Sequence, residues 1–484
     1  MSKSTLRSLA LAGVGALSLA ACSDDDTQAG VVPAIVPRNT SGVSALVKGL
    51  PSGVQAWSII SSSDSLPNSP RFGGSADGSG LIKNADGTFT LLTNHEDNFA
   101  VSRLQLDRNF TPVRMDYVLS SAAGRWRLCS ATLATPEEHG FGPMYFTVGE
   151  SGIESMIHGV TPTQAAVTGP DDATLITAFG RWNSENALPL TKDAYANQTV
   201  VIIGDDDSGV NGGQVAMYVG ARGDLRTGRL YVMKRTDNNV RERDMVVGQS
   251  YPVEFVQVPN AAGTTGAQIE AAGLAQNMLQ FGRVEDLDYR KGSASANREI
   301  WFNVTGQNNT GFNAGYQRTK YGRVYRLVLD PANPLRGTLQ VILDGDDRSG
   351  PARQFQNPDN IYVGQNYVYV QEDPNGYGDE THDSYIYQYD MRTGQMRVVM
   401  ELDHRRDAAD AATFNVGARS RFGSWEYGAM IDVSKETGIA DAFVIQLQPH
   451  TWLEERFRNV AGPHTVLPNE RQGSQAILVT GLPR

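Results

Sequence analysis

From about Trp57 onward, apolar and β-branched residues gather in short runs separated by Gly, Asn, Asp and Pro. Thr88–Thr93, Met144–Gly149, Thr199–Gly204, Gln214–Val219, Arg229–Lys234 and Glu299–Val304 have this form. So do Gly322–Leu329, Leu339–Leu343, Asn366–Gln371, Ser384–Tyr389, Met396–Leu402 and Ala442–Leu447. Branched and aromatic side chains suit a pleated surface and the flanking residues suit turns, so each run predicts a strand. One arrangement recurs, in which a strand ends in Asp, a turn follows and a second strand returns. It occurs as Tyr325–Asp330 with Leu339–Leu343, and as Tyr385–Asp390, the turn Met391–Gly394 and Met396–Met400. Asp closes such turns by local hydrogen bonds, and Gly tolerates positive φ. Hairpins repeated over most of the chain predict an all-β fold, a β-propeller of six blades with short helical insertions, rather than a sandwich. The one good helical spacing is Ala267–Leu279, where Ile269, Ala272, Leu274 and Met278 recur on one side.

The first residues break this pattern. Lys3 and Arg7 precede the short apolar run Leu9–Leu19, and Leu19-Ala20-Ala21-Cys22 ends it as a bacterial lipobox does. The run is too short for a permanent membrane span. Residues 1–22 therefore predict a lipoprotein signal peptide, cut before a lipidated Cys22. Ser23 follows the cysteine in place of the Asp that retains lipoproteins at the inner membrane, so the expected location is extracytoplasmic, anchored to the outer membrane by lipid alone. Residues 23–50 read as a flexible tether, and 51–484 as a single propeller domain.

Charge narrows the partners. The 484-residue chain has 53 Asp and Glu against 42 Lys and Arg, so nothing offers a basic face to a nucleic-acid backbone. With Cys22 lipidated, Cys129 has no partner for an intramolecular disulfide. An unpaired thiol in an oxidising compartment has to be buried or coordinated. No phosphate-cradling GxxxxGK[ST], dinucleotide GxGxxG, HExxH or GxSxG elbow is present.

The chemistry that remains is carboxylate at strand ends. Phe281–Tyr289 carries Glu285, Phe355–Val363 carries Asp359, and Val370–Gly376 carries Glu372 and Asp373. Oxygen ligands gathered this way suit hard cations or acid–base work. Asp373–Glu380, with His382 and Asp383 beyond, is dense enough in oxygens to hold a cation, with a solvated loop as the alternative. Asp205–Gly209 and Asp344–Asp347 open like calcium loops but lack the later ligands, and read as exposed turns.

Taken in order, several segments resemble the PhoX-type family of secreted bacterial alkaline phosphatases. They are Asn94-His95-Glu96, Arg127–Ala131 with Cys129, Tyr145–Glu150 with His158-Gly159, and Arg283-Val284-Glu285. Asn357–Asn360 with Val370–Asp373, Trp425–Gly428 and Ile445–His450 complete the series. The resemblance implies a propeller holding iron and calcium at the mouth of its channel. It makes Cys129 and Glu285 candidate iron ligands, and Glu150, Glu426, Asp373 and Glu96 candidate iron or calcium ligands, with Asp359 and Glu372 as further possibilities. Arg283 would face the substrate phosphate, where a guanidinium can grip two oxygens. The implied activity is metal-assisted hydrolysis of a small phosphate monoester. The sequence departs from the family pattern: Ser130 and Ala131 replace glycines, Val284 a proline and Ser151 an acid. Two other readings stay open, a calcium-dependent phosphotriesterase or lactonase and a non-catalytic propeller braced by cations.

Overall fold

The computed structural model describes residues 34–417, 421–463 and 470–484. Cys22 and the signal segment lie outside the described residues. Ile35–Arg484 packs as a single unit, made almost wholly of antiparallel strands in five sheets. Six strands form the inner wall: Ala76–Lys83, Leu128–Ala134, Ser184–Pro189, Val284–Tyr289, Pro358–Val363 and Glu426–Asp432. Each touches the next, and the last touches the first. The arrangement of sheets is propeller-like.

The expected six blades are not six separate sheets. Ser250–Val258 and Arg336–Asp344 pair from Ser250↔Gln340 to Glu254↔Arg336, joining their hairpins into one nine-stranded sheet. Both are outermost strands, and pairing them satisfies two edges that would otherwise expose open N–H and C=O rows. Elsewhere the chain closes on itself. Gln475–Thr480 lies between Gln55–Ser61 and Ala442–Gln448, so one sheet holds strands from both ends of the chain.

Residues 34–50, expected to finish a tether, are packed instead. Val47 and Lys48 pair with Leu402 and Glu401. Leu46 is buried, and its N–H donates to Gln475 Oε1 at 2.9 Å. The polar composition that suggests a tether here is that of an extended segment bonded to a sheet edge.

The turn chemistry behaves as its residues dictate. Asp390 Oδ1 accepts from the N–H groups of Arg392 and Thr393, and Asp330 Oδ1 from those of Ala332 and Asn333. The helix runs from Gly266 to Leu274 behind a capping box of Thr265 and Gln268. It ends short of the expected Leu279 because Asn277 turns left-handed at φ 60°. Ile269 and Met278 still reach one core with Phe179, Trp182 and Leu230.

One irregularity repeats around the inner wall. Near the start of all six inner strands the register slips, so that two residues oppose one. A bulge bends the strand and re-aims side chains. In five strands the first bulged residue is Asp77, Cys129, Glu185, Glu285 or Asp359; in the sixth, Glu426 lies two residues before the bulge at Gly428 and Ala429.

Neighbouring sheets are pinned at these bulges by side-chain amides. Asn94 Nδ2 donates to the carbonyls of Cys129 and Ser130. Asn303 Nδ2 donates to those of Asp359 and Asn360, at 2.7 and 3.0 Å, and Gln371 Nε2 to that of Gly428. Bulge carbonyls have lost their ladder partners, and buried carbonyls need others. The backbones approach closely at the same level. A Cβ on Gly78 would stand 2.4 Å from Ala131 N, and one on Gly428 would stand 2.5 Å from Ala76 O.

Candidate metal centre

The bulges deliver their acids to one end of the inner wall, around a cavity of about 300 Å³. Its lining holds eight carboxylates: Asp77, Glu96, Glu150, Glu185, Glu285, Asp359, Asp373 and Glu426. Cys129, His450 and two guanidiniums, Arg127 and Arg283, complete it. Inner strands supply Asp77, Cys129, Glu185, Glu285, Asp359 and Glu426. Glu96, Glu150, Asp373 and His450 follow the ends of second strands in their hairpins. The centre is therefore a product of register, with each hairpin contributing where its two strands open.

Donor atoms crowd in overlapping groups, those within each group lying inside 4.8 Å of one another. The groups are Asp77–Glu96–Cys129, Cys129–Glu150–Glu185, Glu185–Glu285–Asp359 and Asp359–Asp373–Glu426. The Cys129 thiol donates to Glu150 Oε2 at 2.9 Å. His450 Nε2 stands 3.4 Å from Glu426 Oε1. Arg127 Nη1 bonds Glu96 Oε2 at 2.8 Å, and Gln448 Nε2 bonds its other oxygen at 2.7 Å.

Arg283 is held on three sides. Its Nε lies 2.7 Å from Asp206 Oδ1 and its Nη2 2.9 Å from Asp206 Oδ2. Nη2 also meets Glu285 Oε1 at 3.0 Å, and Nη1 meets Asn375 Oδ1 at 2.7 Å. Two of these contacts are hydrogen bonds, Nη1 to Asn375 and Nη2 to Asp206 Oδ2, and the other two are ion-pair approaches. The Arg283 backbone sits at φ 73°, and Ser75 and Asn357, also just before inner strands, have φ 45° and 68°. Left-handed backbone at a residue other than glycine costs roughly 1–2 kcal/mol, a strain that surrounding contacts must hold.

Electrostatics favour bound cations. Burial pushes the carboxyls of Asp77, Glu185, Glu285, Asp359 and Glu426 well above the usual range, and neighbouring acids push further. Glu150 is raised to about 7 by burial and then by Asp206. Burial, reinforced by Glu150, also raises the Cys129 thiol. Like charges this close, out of water, cannot all ionise unless positive charge joins them. Two guanidiniums do not balance eight carboxylates. Asp359 Oδ1 is buried without a hydrogen-bond partner, as a ligand atom is before its ion arrives. The donor set fits metal: hard oxygens suit calcium, and a thiolate among them suits a transition ion such as iron.

The candidate ligands Cys129, Glu150, Glu285, Asp373, Glu426, Glu96 and Asp359 all line this cavity, as does Arg283. Glu372 does not. Its Oε1 accepts from Gln356 N and Tyr387 Oη, and its Oε2 from Tyr385 N and His382 Nε2. It is a buried bracket between loop and strand. Of the dense segment beyond, only Asp373 reaches the centre. Asp379 pairs with Lys320 at 2.9 Å, and Asp383 grips Arg406. Asp344 and Asp346 are likewise taken up by arginines, Arg323 and Arg243.

Asp77 and Glu185 fall in no segment that the sequence singles out, while Arg127 and Asp206 lie in such segments without an expected role in the site. Asp206 belongs to a segment that reads as an exposed turn, yet it is buried. A signal for two of the others is present. Asp77-Gly78 and Glu185-Asn186 share with Glu285-Asp286 and Asp359-Asn360 an acid followed by a turn-forming residue at a strand start.

No protein-family model and no curated protein matches the sequence. Among solved structures, Pseudomonas fluorescens PhoX, in complex with vanadate, a transition state analogue, aligns with a TM-score of 0.62. The alignment covers 90% of this chain and 96% of that one at 14% identity. The chain has a PhoX-like fold. The polysaccharide lyase Uly1 aligns at TM-score 0.34 and 8% identity, over 86% of this chain and 94% of that one, too slight a likeness to bear on the architecture.

Proposed function

We propose that this protein is a metal-dependent phosphatase acting on phosphate monoesters, with iron and calcium in the acidic cavity. The observation that carries the reading is the cavity itself, where a thiol and eight carboxylates converge beside two half-buried guanidiniums. The solved neighbour of like fold holds vanadate, a transition state analogue. The ring of six inner strands supports a six-bladed propeller in which two blades share one sheet through their outer edges. A lipid at Cys22 would hold the enzyme outside the cytoplasm, at the outer membrane.

In this reading Cys129, Glu150, Glu185 and Glu285 hold iron, while Asp77, Glu96, Asp359, Asp373 and Glu426 hold the harder ions. Bound cations supply neutralisation of phosphoryl oxygens and a lowered pKa for the attacking water. Arg283 donates to a phosphoryl oxygen, and Asp206, Glu285 and Asn375 fix its plane. That fixed orientation lets it meet charge as it develops without reorganising. Arg127, anchored on Glu96, supplies a second positive charge at the other side of the cavity. Cys129 argues against a calcium-only hydrolase, which has no use for a thiolate.

The test is elemental analysis of the purified protein alongside turnover of p-nitrophenyl phosphate, with and without chelator. Stoichiometric iron and calcium with chelator-sensitive turnover is expected. Calcium alone without phosphatase activity would overturn the reading.

A further inference from the structure

A second cavity, of about 460 Å³, opens beside the metal centre and shares Glu150 and Arg283 with it. Apart from these two and Asp206, its lining is uncharged. It presents amides and hydroxyls, among them Asn183, Ser208, Asn308 and Thr310, with two aromatic rings, Phe312 and Tyr377.

The wall carrying Phe312 is built, not loose. It belongs to the connection between strands Glu299–Val304 and Arg323–Leu329. Asn313, buried, bridges this loop through four hydrogen bonds, donating to Gln307 O and Arg318 O and accepting from Gln317 N and Arg318 N. Arg318 ties it across to Gly209 O at 3.1 Å and to Gln307 Oε1 at 2.7 Å. The opposite wall is tied in turn, since Tyr377 Oη donates to Gly306 O at 3.3 Å. On this pinned loop Phe312 stands 67% exposed. A phenyl ring held in water gains nothing for the fold; it gains when an apolar surface covers it.

We infer that this pocket receives the alcohol half of the ester, and that the alcohol is an uncharged, hydroxyl-rich ring such as a sugar. The inference rests on the phosphatase reading and names its substrate class. With the phosphoryl group against Arg283, the ester oxygen points the remainder of the substrate into the adjoining cavity. Neutral amides and hydroxyls pair with sugar hydroxyls in both directions, as donor and acceptor. Aromatic rings cover the C–H face of the same ring. A second phosphate finds no cation there beyond Arg283, and a short alkyl chain leaves the amides without partners.

The experiment compares kcat/KM for glucose 6-phosphate and ethyl phosphate, using the metal-loaded protein, Phe312→Ala and Asn308→Ala. The expected preference for the sugar ester is about tenfold or more, and each variant should reduce it several-fold, mainly through KM for the sugar ester. Turnover of both esters at similar efficiency, or a preference unmoved in both variants, overturns the inference and leaves the phosphatase reading standing. No turnover of either ester overturns both.

Discussion

Arg283 and Asp206 face each other in a two-point contact, 2.7 Å from Nε to Oδ1 and 2.9 Å from Nη2 to Oδ2. Asp206 lies outside every motif that drew attention to Arg283, and it fixes where the guanidinium points. Replacing Arg283 by Gln keeps some bulk but removes the charge. The expected result is a fall in kcat of about 100-fold or more, with the circular dichroism spectrum retained. Asp206→Asn should lower kcat less, by about tenfold, because the charge remains and only its orientation loosens. Wild-type kcat in Arg283→Gln would remove Arg283 from the mechanism.

Cys129 is buried, with its Sγ 2.9 Å from Glu150 Oε2. Serine is nearly isosteric but does not ionise near neutral pH, so Cys129→Ser removes the soft ligand and little else. Iron affinity should drop at least tenfold, while calcium content changes little. Elemental analysis after dialysis reads both. Undiminished iron would show that the thiol is only a packing residue.

Without its ions the cavity should make the protein sensitive to alkali. Folded-state carboxyls such as Glu150, raised to about 7, keep protons that the unfolded chain releases above its ordinary carboxyl range. The folded state then binds more protons, and stability falls as pH rises through the folded pKa. The chelated protein should lose melting temperature steadily from roughly pH 5 to pH 8. Bound cations favour the ionised carboxylates and should flatten or reverse that slope. Parallel slopes with and without chelator would mean that the acids do not meet metal.

Asn303 reaches from its own hairpin to the carbonyls of Asp359 and Asn360 in the next. Asn303→Ala strands two buried carbonyls, at a cost of about 1–3 kcal/mol. Asp359 is a candidate ligand, so calcium affinity should weaken with stability. Denaturant unfolding and calcium titration measure the two. Unchanged midpoints would show that water replaces the amide without loss.

The strands were legible because alternating branched and aromatic residues, with Asp and Gly at the turns, state their own boundaries. Tyr385–Asp390 is both predicted and found. Segment 34–50 was not legible, since a chain that pairs along a sheet edge needs few apolar residues. For the metal centre, the acids lying within motifs could be picked out, but those placed only by bulge register could not. Glu372 and Asp373 are adjacent, yet alternation turns one into a hydrogen-bonded bracket and the other toward the cavity. Asp206 shows the converse, a residue in an apparent surface turn that ring closure buries.

The strand Gln475–Thr480, seated between Gln55–Ser61 and Ala442–Gln448, also sets a timetable. Until Gln475–Thr480 has been synthesised, that sheet lacks the strand that joins Gln55–Ser61 to Ala442–Gln448. The earlier hairpins have local partners and can form as they emerge. The candidate ligand set spans Asp77 to His450 and converges where the ring of inner strands shuts. In the metal-dependent reading, loading of the ions is expected to be a late event in the life of each molecule, and a chain halted before Gln475 is expected to fold in part but stay empty.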